Sequence, residues 1–421
     1  MKKFVMWLCL LIFLVACSKE ESRPEAKMSV NDDMLGQWQG NIEIPQSPLE
    51  IILSFKEKSG TLSVPAQGLK DYPFKEVSYD GDKILVKIDL QGSNIVIEGK
   101  LQDKLIKGTF KQNGNAIPFK LSRNKEEKVS YEPITIPVKD GNLKVALQLP
   151  EKEGLYPLAI IIAGSGPTDK DGNTIGAGKN NSLKMLAEDL AKQGIASIRY
   201  DKRGIGDNTS LATKEEDVSI EQFVEDVSQV IKYAKSEKKF KSIHIIGHSE
   251  GSLIGMLAAQ NSDIASFTSL AGAGRPADVI LLEQLEGKLT SDLKKETTEI
   301  LASLKEGKPV ATISSELQSL FRPSVQPYLM SWFKYDPAKS IQKVTAPVLI
   351  IQGAHDIQVS VNDARILKEH KEKAKIVIVD KMNHVLKDAP EDIKGNMATY
   401  SDPTLPLSTV LVETIKGFIK E

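Results

Sequence analysis

Apolar residues fall into four regimes along the chain. Phe4 to Ala16 is a continuous apolar run behind Lys2 and Lys3, the layout of a secretory signal and short for a bilayer span. Ser18 to Asp33 is polar, shows no apolar period and predicts a flexible tether. From Leu35 to Arg123 short runs of strand character recur between turn signals: GQWQGNIEI, LEIILSFK, GTLSVP, KILVKIDL, SNIVIEGKL, LIKGTFKQ and AIPFKLSR. Gly81-Asp82 and Asn113-Gly114 fit hairpin turns. Even spacing without a helical period predicts a small antiparallel β-barrel or sandwich over 34–123.

From Lys128 onward the pattern changes. ITIPVKD and NLKVALQLP read as an antiparallel pair. Then PLAIIIAG, IASIRYD, SIHIIGHS, SFTSLAGA, APVLIIQG and KIVIVD, apolar on both faces, alternate with amphipathic stretches such as SLKMLAEDLAKQG and IEQFVEDVSQVIKYAKS. That alternation predicts an α/β unit over 128–421, a mostly parallel sheet with helices on both faces. Residues 276–339 interrupt it with charged helical sequence and predict a helical cap above the strand ends.

Composition changes this picture little. The formal charge of −1 over 421 residues supplies no basic face for nucleic acid. Cysteine usage is more informative: only Cys9 and Cys17 occur, and Cys9 lies inside the expected leader. A chain cleaved after Ala16 retains no pair for an internal disulfide and must be held by packing alone. Cleavage also removes Lys2 and Lys3 and takes the formal charge from −1 to −3.

The candidate chemistry centres on Gly247-His248-Ser249-Glu250-Gly251, which follows the strand SIHII and opens the helix SLIGMLAAQ. G-x-S-x-G between a strand and a helix is a nucleophile elbow, a turn so tight that its flanks must be small. Ser249 is then the nucleophile, at a helix start where free amides favour developing negative charge. The amide of Glu250 is the expected first oxyanion donor. A serine hydroxyl needs a base, and the base needs a carboxylate to fix its tautomer. Among five histidines, His244 lies in a buried strand, His248 in the elbow and His370 in a charged helix, while His355 precedes a better carboxylate candidate. His384, after the last core strand, is the expected base.

Asp356, on the loop after VLII, is the expected acid, with Asp363 as the substitute. The order Ser249, Asp356, His384 is that of α/β-hydrolases. Gly164-Ser165-Gly166, after PLAIIIA, offers the second oxyanion donor, assigned to Ser165 with Gly166 as the neighbour that could replace it. The stretch does not fit a phosphate cradle, since no G-K-[ST] follows. The histidines show no metal-ligand spacing such as H-E-x-x-H, and the expected chemistry needs neither a metal nor an organic cofactor. In RYDKRG, the Asp201–Arg203 pair reads as a structural clamp.

Together, AGSGPTDKDGN, RYDKRGIGDN, IGHSEGS, QGAHDIQV and KMNHVLK resemble bacterial α/β-hydrolase esterases related to the serine aminopeptidase and dienelactone hydrolase branches. The resemblance runs from Lys128 to the end. It implies hydrolysis of carboxylic esters, with short acyl chains expected, by Ser249, Asp356 and His384. Ala163 departs from the histidine that many relatives carry before the glycine. Residues 34–123 resemble the lipocalin-like β domain that precedes some of these esterases, with Trp38 near the opening strand. Leu14-Val15-Ala16-Cys17 resembles the lipobox of bacterial lipoproteins, which implies a lipid on Cys17 and a membrane-anchored protein of the cell envelope. Two alternatives stay open at this level: an aminopeptidase or amidase on the same triad, for which Glu283, Glu286 and Asp292 could supply an amine pocket, and a binding module with a vestigial hydrolase half. Nothing in the sequence speaks to oligomeric state.

Overall fold

The computed structural model describes residues 31–421 apart from 45–48, 65–68, 91–92, 124–129, 175–177 and 213. The expected leader (1–16), Cys17 and the tether up to residue 30 lie outside the described residues. The last residues assigned to the tether are ordered. Asn31 caps a 3-10 turn over Asp32–Met34, its side chain accepting from the Asp33 amide at 2.9 Å, and Met34 is buried.

The chain divides into two compact units, the first ending at Lys125 and the second running from Glu126 to Glu421. In the first, β1 (Gly36–Ile42), β2 (Leu49–Phe55), β3 (Gly60–Val64), β4 (Leu69–Pro73), β5 (Glu76–Asp80), β6 (Lys83–Leu90), β7 (Ser93–Gln102), β8 (Leu105–Gln112) and β9 (Asn115–Arg123) form one antiparallel sheet in the order 4-3-2-1-9-8-7-6-5. β4 and β5 were not foreseen, because LKDYP and EVSYD carry too few apolar residues to show an alternation. They are the two edges of the sheet, yet only Phe74 and Lys75 separate them in sequence, so the sheet must curl until its edges approach. No β4–β5 ladder closes it among the described residues. The unit is therefore a single curled sheet and not a two-sheet sandwich. It wraps a core that includes Trp38, Leu53, Val86, Ile97 and Phe119. Asn113 and Gly114 both have positive φ (49° and 78°), as a two-residue type I′ hairpin requires.

The second unit holds β10 (Glu132–Val138), β11 (Gly141–Gln148), β12 (Tyr156–Ile162), β13 (Ala196–Arg199), β14 (Phe240–His248), β15 (Ser266–Leu270), β16 (Val348–Gly353) and β17 (Lys375–Val379), in the order 10-11-13-12-14-15-16-17. The strands from β13 to β17 in that order are parallel, and β10 and β11 add antiparallel at one edge. Alternate residues of β12 enter different cores, Leu158, Ile160 and Ile162 on one face and Ala159 and Ile161 on the other, which is why the strand is apolar throughout.

Helices α1 (Ser182–Lys192), α2 (Ile220–Ser236) and α3 (Glu250–Gln260) follow successive strands. Between β15 and β16 come α4 (Ala277–Leu285), α5 (Ser291–Lys305), α6 (Gln318–Phe321), α7 (Gln326–Phe333) and α8 (Pro337–Gln342), most of which share a core of their own around Leu304, Leu317, Phe321 and Phe333. That core makes this inserted segment a cap with its own packing. Helices α9 (Val361–His370), α10 (Ile393–Ala398) and α11 (Thr409–Lys420) complete the unit.

Candidate active site

The carboxyl ends of parallel strands are where loops from neighbouring strands converge, and Ser165, Ser249, Asp356 and His384 lie on such loops. Ser249 sits between β14 and α3 with φ 54° and ψ −121°, outside the regions an L-residue prefers. The glycines around it make this turn possible. A Cβ on Gly247 would lie 2.2 Å from the Gly251 carbonyl oxygen, and one on Gly251 would lie 2.3 Å from that of Ile162. Helix α3 thus presses against the end of β12 with no space for a methyl group. Glu250 is its first residue, so the Glu250 amide is among those a helix leaves without an internal partner.

The loop after β17 carries His384, which is buried. Its Nδ1 lies 2.8 Å from Asp356 Oδ2. A carboxylate only accepts, so Nδ1 carries the proton and Nε2 is left as the base. Asp356 is saturated: Oδ2 also accepts from Gln352 Nε2 at 2.9 Å, and Oδ1 accepts from the amides of Gln358 and Val359 at 2.8 and 3.0 Å. Burial alone would raise the Asp356 carboxyl, but His384 and those two amides outweigh it and hold it below the usual carboxylate range. No hydrogen bond joins Ser249 Oγ to His384 among the described residues, a distance that commonly tightens only when substrate is bound.

His248 couples the two loops. Its Nε2 donates to the His384 carbonyl oxygen at 2.8 Å, and the two rings lie 4.9 Å apart. Burial, then His384, push the His248 imidazole down to about 3, so it is neutral, and its Nδ1 is buried without a partner. The sequence signals only that this histidine is fixed in the elbow; its hold on the loop of the expected base depends on a contact across 136 residues.

Asp363, the substitute acid, is engaged elsewhere. It accepts from Arg275 at 2.7 and 3.0 Å, from Ser360 Oγ at 2.7 Å and from the Gly274 amide at 3.1 Å. His355 bonds the Ala389 carbonyl, His370 its own helix, and His244 lies between Ser242 and Ser266. Arg203 clamps Asp226 (2.6 and 2.9 Å) and Asp140 (3.0 Å), while Asp201 accepts from the amides of Lys170 and Asp207. The Asp201–Arg203 pairing read from the sequence is thus replaced by two separate clamps.

Ser165 and Glu250 both line a cleft that reaches Ser249. Its apolar wall comes from Leu253 and from cap residues such as Ile280, Leu281 and Trp332. The only charged residues lining it, among the described residues, are Glu250 and Arg275. Arg275 is matched by Asp363 and by Glu283 at 2.6 Å. Glu250 is fully buried, facing Lys202 Nζ at 3.4 and 3.5 Å and accepting from Tyr328 of α7 at 2.7 Å. Burial pushes the Lys202 ammonium below its ordinary range, with Glu250 acting in the opposite direction.

Residues 178–316 match the family model described as serine aminopeptidase, S33, a span that includes Ser249 and the first two cap helices but ends before the rest of the cap, Asp356 and His384. The chain is 30% identical over 266 residues to the esterase EstD of Thermotoga maritima, covering 61% of this chain and 60% of that one, so it spans less than two thirds of that relative's length. Among solved structures, Est1E from Butyrivibrio proteoclasticus with ferulic acid bound aligns at 22% identity over 68% of this chain and 98% of that one, with a TM-score of 0.48. A proline iminopeptidase of Mycobacterium smegmatis aligns at 15% identity over 69% and 99%, with a TM-score of 0.45. Over residues 178–316, then, the chain is similar to the S33 serine aminopeptidase family of α/β hydrolases, and over 266 residues it is similar to an esterase.

Proposed function

We propose that this protein is a serine hydrolase that cleaves carboxylic esters of short acyl chains through an acyl-enzyme. The observation that carries the reading is the buried Asp356–His384 hydrogen bond beside a strained Ser249 at the start of α3. Ser249 Oγ attacks the ester carbonyl as His384 Nε2 takes its proton, and the oxyanion rests on the amides of Ser165 and Glu250. His384 then protonates the leaving alkoxide, and a water activated by the same nitrogen releases the acid. A lipid on Cys17 would hold the enzyme at the cell envelope.

The cleft favours an ester over a peptide with a free amino terminus. An aminopeptidase needs an unpaired carboxylate for the substrate's ammonium. Here Glu250 is occupied by Lys202 and Tyr328, Glu283 pairs with Arg275, Glu286 pairs with Lys294, and none of Glu283, Glu286 and Asp292 lines the cleft.

The test is turnover of p-nitrophenyl esters from acetate to palmitate, and of aminoacyl p-nitroanilides, by protein lacking residues 1–17 beside Ser249→Ala. Ester turnover that falls with chain length and vanishes in the variant is expected. Anilide turnover alone would reassign the site to a peptidase.

A further inference from the structure

Lys202 is a buried cation that the triad does not use. Its Nζ lies 2.5 Å from the carbonyl oxygen of Gly164, 3.4 and 3.5 Å from the two oxygens of Glu250, and 4.9 Å from the centre of the Phe223 ring. The Gly164 carbonyl and the Ser165 N–H are opposite ends of one planar peptide group. A donor locked onto the oxygen therefore fixes the direction of the N–H. It also draws electron density through the amide and makes that N–H a stronger donor, since hydrogen bonds in a chain polarise one another. No hydrogen bond from the Ser165 N–H is seen among the described residues, so this donor stays available. On its far side the loop is held as well: Thr168 Oγ1 donates to the Ser165 carbonyl at 2.8 Å and meets Thr174 Oγ1 at 2.9 Å.

Resting on the proposed oxyanion hole, we infer that Lys202 is a positioning residue which aims and polarises the Ser165 amide through the Gly164 carbonyl, and that the Glu250 carboxylate, steadied by Tyr328, holds it there. Glu250 thereby serves the site twice. Its amide is one oxyanion donor, and its side chain anchors the cation that sets the other. Tyr328 belongs to α7, so the cap is wired to the oxyanion hole by a hydrogen bond as well as by the cleft wall. A lysine reaching that oxygen orients a donor without occupying the space the substrate needs.

The experiment compares an ester with its thionoester, C=S in place of C=O, because sulfur accepts hydrogen bonds weakly and gains little from an oxyanion hole. The proteins are the full chain in detergent, Lys202→Met and Tyr328→Phe. Deleting an oxyanion donor outright costs ~100- to 1000-fold, so misaiming one through Lys202→Met is expected to lower ester kcat by about 10- to 100-fold with KM little changed. Thionoester turnover should hardly move, and the ester-to-thionoester ratio should fall accordingly. Tyr328→Phe should shift the ratio in the same direction by a few-fold, and it decides the question if Lys202→Met does not fold. An unchanged ratio in the folded variants overturns the role of Lys202 and leaves the hydrolase reading standing. Wild-type protein that turns over neither substrate and takes no fluorophosphonate label overturns that reading, and this inference with it.

Discussion

At the level of single residues, two aspartates seven positions apart have separate tasks. Asp356 faces His384, whereas Asp363 is bound to Arg275, Ser360 and Gly274. Asp356→Asn should lower kcat on the order of 10⁴-fold with the fold intact, because an amide presents the wrong partner to Nδ1–H. Asp363→Asn should leave kcat within a few-fold and lower stability, which urea unfolding beside turnover will distinguish. Chain order and loop position were enough to prefer Asp356 in the sequence. The engagement of Asp363 was not legible, since its arginine partner lies 88 residues away. A titration is also expected within β14. Burial pushes His244 from 6.5 down to about 4. Between those values the unfolded chain binds a proton that the native one refuses, so this histidine's stability is present above pH 6.5 and lost as the pH falls towards 4. His244→Asn lacks that dependence. The stability of wild type minus variant, from urea unfolding of the α/β unit, should drop by about 3 kcal/mol from pH 7 to pH 4.

At the level of elements, the site depends on α3 lying close to β12. Gly251 faces the Ile162 and Ala163 carbonyl oxygens, which a Cβ would approach to 2.3 and 2.7 Å. Both are backbone atoms, one on the last residue of β12 and one on the buried residue after it, so neither can move aside cheaply. Gly251→Ala should therefore push the helix start away, costing about 1–3 kcal/mol and moving the Glu250 amide and Ser249 out of register. Fluorophosphonate labelling should fall sharply while circular dichroism still reports a folded chain; a fully labelled variant would refute the close packing. This element was readable in advance because G-x-S-x-G couples a local steric demand to a strand and a helix that the apolar pattern already marks. Edge strands β4 and β5 were not, since a strand that buries few side chains leaves no period to read. The Lys202 contact was equally hidden. In RYDKRG the arginine looked like the clamp, and only the fold brings the neighbouring lysine to the loop after β12.

Across the whole molecule, each unit draws its apolar core from its own residues. The curled sheet packs Met34 to Leu121 together, and the α/β unit and its cap use residues from Ile136 onward. Stability is set by what each core buries, so damage to one should register in one unfolding transition. Trp38 is the sharpest probe. It is almost fully buried, its indole N–H donates to the Met34 carbonyl oxygen at 2.8 Å, and the Arg123 guanidinium lies 5.2 Å from the ring centre. Trp38→Ala should destabilise the β unit by about 3–5 kcal/mol through the lost burial and the cavity left behind. The transition of the α/β unit should keep its midpoint, and fluorophosphonate labelling of Ser249 should keep its rate. Calorimetry of the variant separates the alternatives. A lower transition for the β unit with an unmoved one for the α/β unit means that the α/β core stands without the β unit's stability, whereas a fall in both would mean that the two cores melt as one.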